Sequence, residues 1–351
     1  VSSAPAPAHG ERSEGRRGSL AAPRLLRGDE YVADATRRIH DAKRRVLLTT
    51  LTIAHDHRTD DLIGALVAAA RRGVEVSVAA DVFSYADVAG TFLPTGYRTS
   101  AWRASDSLAT RLMREGVRFS WLGREKGLPW RGRTHTKFCV VDDAVYAFGG
   151  VNLDRKGVEN ADFMLRIADA RLADDLETVY HQIQHMNAHE RGHESLAFRY
   201  GADRVLVDGG VPGDSIIYRR ALALARRADR VILVSQYCPT GELGKVIGAR
   251  ENELWFNPPR NASPANRVLI ASSMLWTGHR SLYTRRRYLH AKAIVFFRSG
   301  DAHAAITGSH NFVEGGVRLG TREIALETRR PETIAQILEF HARDVRGVGA
   351  G

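Results

Sequence analysis

The stretch His135–Asn152, HTKFCVVDDAVYAFGGVN, decides the fold, because the chain returns to it in looser form at His290–Asn311, HAKAIVFFRSGDAHAAITGSHN. Each copy opens on His-x-Lys, runs through apolar residues and closes on a glycine turn that ends in Asn. One copy is an ordinary surface pattern. Two copies imply two halves built alike, able to bring two histidines and two lysines to a shared site suited to phosphate chemistry.

Phe138-Cys139-Val140-Val141 and Ala293-Ile294-Val295-Phe296-Phe297 are β-branched, aromatic or otherwise apolar, so each His-x-Lys is expected to open a buried strand. Alternate residues of a strand share a face, which sets His135 and Lys137 about 7 Å apart and pointing the same way, a separation suited to one phosphoryl group. Asp142-Asp143 breaks the run, Val145-Tyr146-Ala147-Phe148 resumes it, and Gly149-Gly150 permits a tight turn. The resulting hairpin returns Asn152 to the neighbourhood of His135. In the second copy the interval from His to Asn is four residues longer, with Arg298-Ser299-Gly300-Asp301 as the longer loop. An even difference preserves strand parity, so Asn311 keeps the face of Asn152. An acid in an apolar setting follows each hairpin, Asp162 before Phe163-Met164-Leu165 and Glu323 before Ile324-Ala325-Leu326. A carboxylate so placed needs a partner, and an imidazole N–H suits it because the bond fixes the ring's tautomer.

The pattern His135-x-Lys137-x4-Asp142-x6-Gly149-Gly150-x-Asn152, with its looser repeat ending Gly308-Ser309-x-Asn311, resembles the two signature motifs of the phospholipase D superfamily, most closely its cardiolipin synthase branch. Arg45–Thr50, the helical run Ala65–Arg72 and the strand at Val74–Val76 are similar to the family's first strand, helix and second strand. The likeness covers roughly residues 28 to 345. It implies an α/β fold of two phospholipase D-like α/β/α sandwich halves packed with pseudo-twofold symmetry, over 28–195 and 196–347, after a disordered basic tail at 1–27. It further implies that one histidine attacks phosphorus to give a phosphohistidine while the other protonates the departing alcohol and activates the acceptor. On the resemblance His135 is the nucleophile and His290 the acid and base. Lys137, Lys292, Asn152 and Asn311 are then expected to hold the phosphate oxygens, with Ser309 adding a hydroxyl. Each histidine is expected to be oriented by the acid of the opposite half, His135 by Glu323 and His290 by Asp162. Asp142, Gly149, Gly150 and Gly308 are read as structural members of the motifs. The scheme calls for no metal and no cofactor.

Two positions depart from the family pattern. Phe297 stands where the second motif carries its Asp, with Asp301 as the expected substitute, and Gly150 stands where many relatives carry serine.

The halves echo one another outside the motifs: a helix over Tyr31–Ala42 with a strand over Arg45–Ile53, and a helix over Ile216–Ala228 with a strand over Arg230–Tyr237. The first half is longer between that strand and His-x-Lys, so residues 83–108 read as an inserted, aromatic, loop-like segment, either a surface loop or a lid. The 351 residues and 44% hydrophobic content suffice for two sizeable cores.

A net charge of +11 and a pI near 10.0 point to anionic partners. Basic residues flank both motifs, at Lys43-Arg44-Arg45, Arg131 and Arg133, and Arg285-Arg286-Arg287. The expected partners are an anionic phospholipid substrate and an alcohol acceptor, with peripheral membrane contact. Nucleic acid is the alternative substrate. The expected function is phosphatidyl transfer, the rivals being hydrolysis of phospholipid or nucleic acid and, outside enzymes, an inactive module that binds anionic ligands. A duplicated chain completes its site as a monomer. No apolar run approaches the roughly 18 residues of a membrane-spanning helix, and residues 1–24 lack the apolar centre of a signal peptide. The expected location is the cytoplasm or the cytoplasmic membrane surface. Cys139 and Cys238 read as buried thiols, and His181, His185, His189 and His193 as an exposed junction helix rather than a metal stripe.

Overall fold

Leu47 is buried on one face of its strand and Val46 and Leu48 on the other, which requires cover on both sides. The same holds for Val295 against Ile294 and Phe296. The computed structural model describes residues 18–84, 100–123, 133–188 and 192–347. In the first half the elements are β1 (Arg24–Arg27), α1 (Gly28–Asp41), β2 (Arg45–Thr50), α2 (Asp60–Arg71) and β3 (Glu75–Asp81), then α3 (Ser100–Arg114) and β4 (Arg118–Leu122). The motif hairpin β5 (Phe138–Val141) and β6 (Ala144–Ala147) follows, then α4 (Arg155–Glu159), β7 (Phe163–Ala168) and α5 (Ala170–Ala188).

The second half opens with β8 (Leu196–Tyr200), β9 (Asp203–Gly209), α6 (Ile216–Ala225), β10 (Arg230–Val234), α7 (Gly241–Gly248), β11 (Glu251–Trp255) and α8 (Pro264–Thr277). Its motif hairpin is β12 (Ala293–Arg298) and β13 (Asp301–Gly308), followed by α9 (Glu314–Leu319), β14 (Arg322–Thr328) and α10 (Pro331–Phe340).

The strands form two seven-stranded sheets, ordered β1-β7-β6-β5-β2-β3-β4 and β11-β10-β12-β13-β14-β9-β8. Read from opposite ends they superimpose in connectivity: β9, β14, β13, β12, β10 and β11 answer to β1, β7, β6, β5, β2 and β3. Helices α1 to α3 cover the outer face of the first sheet through Ile39, Leu66 and Leu112. Helices α6 to α8 cover the outer face of the second through Ile217, Leu243 and Ile270. The inner faces share one core with α5 and α10, where Leu176 and Val179 join Ile334 and Ile337. The two halves are therefore fused through their hydrophobic interior.

Four expectations are corrected. Residues 24–27 do not belong to a disordered tail, since Arg24–Arg27 pairs antiparallel with Phe163–Arg166 and Leu26 is buried. That strand is the counterpart of β9, which the sheet needs for its edge. The segment 83–108 is not loop throughout: Ser100 onward is α3, whose Leu108 and Leu112 enter the core, while residues 85–99 lie outside the described residues. Each His-x-Lys stops short of its own sheet. Thr134 and Leu289 instead bridge to Arg322 and Ala161 of the other half, so the strands proper begin at Phe138 and Ala293. Finally, Asp301 does not replace the missing motif Asp. Asp142 takes the backbone N–H groups of Lys43, Arg44 and Arg45 at 2.9, 2.9 and 3.0 Å, tying the β5–β6 turn to the start of β2. In the second half the brace runs the other way, from Ser299 N–H in the turn to Asp229 ahead of β10 at 2.7 Å.

Cys139 and Cys238 are buried and unbridged, with burial pushing their thiols up to about 12 and about 11. His181 and His185 lie on α5, His193 follows it, and His189 is outside the described residues. Arg131 also lies outside them. Among the described residues no three His, Cys, Asp or Glu side chains are grouped to hold a metal ion, and no helix is long and apolar enough to cross a membrane.

Candidate active site

The reciprocal bridges bring the motifs together. His135 N–H donates to Arg322 O at 2.9 Å, which lays Glu323 beside His135, and His290 N–H donates to Ala161 O at 3.0 Å, which lays Asp162 beside His290. His135 Nδ1 lies 3.1 Å from Glu323 Oε1, and His290 Nδ1 2.6 Å from Asp162 Oδ2. Each imidazole thus meets an acid supplied by the opposite half. A carboxylate at Nδ1 holds the proton there and leaves Nε2 with a free lone pair in the neutral ring.

Lys137 Nζ donates to His135 O at 3.0 Å, and Lys292 Nζ donates to His290 O. Both ammoniums are buried. Burial pulls Lys137 below its ordinary value and lowers Lys292 to about 7, with Lys137 adding to the effect on Lys292 and Asp162 and Glu323 opposing it. Desolvation, then Lys292, lowers His290 to about 4, and Lys137 contributes from the other motif. That a lysine of the first half acts on the histidine of the second shows how closely the motifs converge. Burial alone would raise Asp162, but its hydrogen bond to His290 and the charges around it hold it below the carboxylate range. Glu323 likewise falls to about 2, because His135, His310 and Lys137 outweigh desolvation.

The glycines are dictated by close approach. A Cβ on Gly149 would sit 1.8 Å from Phe163 O, and one on Gly308 2.2 Å from Ile324 O, so each turn must be glycine for its hairpin to pack on the acid-bearing strand. Gly150 has a separate reason. A Cβ there would meet Asp162 Oδ2 at 2.6 Å and Lys292 Nζ at 3.0 Å. Its bare N–H donates instead to Asp162 Oδ1 at 3.2 Å, beside Phe163 N–H at 2.8 Å.

Ser309, at the matching position, is used differently from expectation. Its buried hydroxyl donates to Glu323 Oε2 and accepts Ile324 N–H at 3.0 Å, so it supports the acid rather than facing the cleft. The longer glutamate reaches further than Asp162, and the hydroxyl satisfies its second oxygen. Asn152 and Asn311 each keep a buried amide oxygen with no hydrogen-bond partner among the described residues. An amide can turn end for end, so each can offer N–H or C=O to a bound group.

A cavity of about 140 Å³ opens beside His135, lined by Glu323, Asn311, Arg133, Tyr237 and His310 among others. The His135 side chain is 29% exposed against 9% for His290. The sequence reading missed Tyr237 and His310. Tyr237 lies just past the carboxyl end of β10, and His310 fills the unspecified position of Gly-Ser-x-Asn. Its Nδ1 accepts Phe312 N–H at 2.8 Å, which puts its proton on Nε2. Arg133, read as one of the basic residues flanking the first motif, is buried with its guanidinium 2.6 Å from Asp81.

Residues 35–184 match the family described as "Cardiolipin synthase, PLD-like domain". No curated protein matches the sequence significantly. Among solved structures, phosphatidylserine synthase from Haemophilus influenzae Rd KW20 is similar with a TM-score of 0.67 and 13% identity, over 92% of this chain and 86% of that one. Polyphosphate kinase from Porphyromonas gingivalis is similar with a TM-score of 0.57 and 14% identity, over 91% of this chain and 49% of that one.

Proposed function

Because residues 35–184 match the family described as "Cardiolipin synthase, PLD-like domain", we propose that this chain moves a phosphatidyl group from a phospholipid to an alcohol through a phosphohistidine. The observation that carries this reading is the crosswise pairing of His135 with Glu323 and His290 with Asp162, flanked by two buried lysines. Two oriented imidazoles on one phosphodiester can serve as nucleophile and as proton donor. Lys137 adds to the lowering of Lys292, and a phosphodiester anion between the two ammoniums would relieve that repulsion. The family's description as cardiolipin synthase supports a lipid substrate.

The surroundings favour the roles opposite to those expected from the motif order. His290 is buried and held neutral, which suits a nucleophile. His135 borders the cavity, which suits contact with alcohols that leave and enter. In the proposed first step the His290 Nε2 lone pair attacks phosphorus, the P–O bond to the departing alcohol breaks, and His135, entering as the imidazolium paired with Glu323, gives that oxygen its Nε2 proton and becomes neutral. In the second step His135 takes the proton of the acceptor hydroxyl, whose oxygen attacks phosphorus while the P–N bond to His290 breaks. Lys137, Lys292, Asn152 and Asn311 hold the non-bridging oxygens throughout. Water in the same cavity would turn transfer into hydrolysis, and the partial exposure of His135 keeps that second reading.

The test is incubation of the purified chain with phosphatidylglycerol vesicles and, separately, with single- and double-stranded DNA. Cardiolipin and glycerol are the expected products, with an acid-labile phosphoenzyme. His290→Ala should abolish the phosphoenzyme, whereas His135→Ala should still form it from a p-nitrophenyl phosphodiester, whose leaving group needs no proton. Phosphatidic acid as the lipid product supports hydrolysis, DNA cleavage without lipid turnover moves the chain to the nucleases, and binding without any product rejects the enzymatic reading.

A further inference from the structure

We propose that the outer face of α8 is a docking surface for an anionic phospholipid bilayer, an inference that rests on the lipid-substrate reading above. The inner residue Ile270 is fully buried in the core of the second half. The outward side chains are apolar instead of polar: Val268 is 69% exposed, Leu269 51%, Leu275 85% and Trp276 90%. These four fall seven residues apart in pairs, two turns along one helix face, and so form a single patch. Scattered exposed apolar residues are ordinary on a soluble surface, but a helix face ending in a fully projecting Trp-Leu pair marks a contact.

The charge around the patch selects its partner. From Leu254 through Gly300 the sequence contains no Asp or Glu and eight Lys or Arg. Of these, Arg260, Arg267, Arg280 and Arg286 are exposed and make no ion pair among the described residues. A second copy of this chain would present the same acid-free surface to itself, and the like charges would repel. A nucleic acid would satisfy the arginines and leave Leu275 and Trp276 in water. An anionic bilayer meets both demands, with tryptophan at the headgroup level, leucine and valine at the acyl boundary and arginine on the phosphates.

The patch is also tied to the site. Asn266 of α8 is close enough to Tyr237 and Tyr288 to work against the burial that raises the pKa of both hydroxyls, which Gln236 Nε2 bridges at 3.0 and 3.1 Å. Tyr237 lines the cavity beside His135, and Tyr288 precedes His290 by two residues. The inward face of α8 at its N-terminal end therefore adjoins residues beside the cleft, while its outward face carries the patch.

The experiment is co-sedimentation of the full chain with vesicles of phosphatidylcholine alone or mixed with phosphatidylglycerol, for the wild type, the double variant Leu275→Ser with Trp276→Ser, and His135→Ala. The wild type should bind the anionic vesicles, the double variant about tenfold or more weakly, and His135→Ala as the wild type does. The double variant should keep wild-type turnover of a soluble p-nitrophenyl phosphodiester, and circular dichroism should match. Equal binding to both vesicle types, or unchanged binding by the double variant, overturns the proposal. So does a dimer in ultracentrifugation that the double variant dissociates. Loss of soluble-diester turnover in the wild type would instead count against the catalytic reading, which keeps the two failures apart.

Discussion

Replacing Asp162 by Asn keeps the shape of a buried side chain and removes one charge, which makes it the sharpest probe of the crosswise pairing. Asp162 Oδ1 accepts the N–H groups of Gly150 and Phe163, and Oδ2 accepts His290 Nδ1–H at 2.6 Å. An asparagine oxygen can retain the two backbone donors, which leaves its amide nitrogen facing His290. To accept from that nitrogen, His290 must surrender its Nδ1 proton and carry it on Nε2, the atom proposed to attack phosphorus. The pKa of about 4 already favours the neutral ring by about 3 kcal/mol at the ordinary histidine value. The damage therefore comes from the wrong tautomer rather than the wrong charge. A loss of about 10⁴ in kcat is expected, the size seen when the acid orienting a catalytic histidine becomes its amide. Stability should also fall. Asp162 offsets the buried charge of Lys292 and Lys137, and removing one partner of a buried pair costs about 3–5 kcal/mol. Lys292 sits at about 7, so it can shed its proton and bring the cost to the lower end. Burst and steady-state kinetics on phosphatidylglycerol, with thermal unfolding of the same preparations, measure both quantities. A folded Asp162→Asn protein within tenfold of wild-type turnover would refute the orienting role.

Two further consequences concern stability. Asp81 accepts Arg133 Nη1 at 2.6 Å and the N–H groups of Thr134 and Phe83, so Asp81→Ala removes the carboxylate from a buried ion pair and loosens the bridge that carries His135; a loss of about 3–5 kcal/mol should appear in urea denaturation, and an unchanged midpoint counts against it. The second is a pH effect. With the His290 pKa lowered from 6.5 to about 4 on folding, chiefly by burial, the unfolded chain takes up a proton first as pH falls, so its contribution, whole above 6.5, is lost between 6.5 and 4, at most about 3 kcal/mol. His290→Gln should flatten that part of the stability curve, and an equal slope in both proteins would contradict the assignment.

The duplicated architecture was legible in the chain, because strand runs such as Phe138–Val141 and Ala293–Phe297 and the glycine turns after them are short-range patterns. The spacing also identified both His-x-Lys pairs, whose charged groups act on one another in the structure, and Asn311, which lines the cavity beside His135. What was missed depends on distant neighbours. Arg24–Arg27 looked like tail because a four-residue strand carries little signal until Phe163–Arg166 is there to pair with it. The brace from Ser299 to Asp229 was sought in Asp301 because the partner lies outside the motif. His310 and Tyr237 occupy positions the motif leaves unspecified.

Residue type and periodicity alone established two alike halves, each bearing an imidazole and an ammonium before a hairpin, an amide after it and an acid to follow. Only the packed halves decided how those groups are spent. They bury His290 beside Lys292 while leaving His135 at a cavity, turn Ser309 onto Glu323, forbid a side chain at Gly150, and leave α8 with an apolar outer face. The reason is physical: desolvation, charge neighbours and free volume are set by atoms far away in the chain, whereas strand, turn and spacing are set by residues close along it.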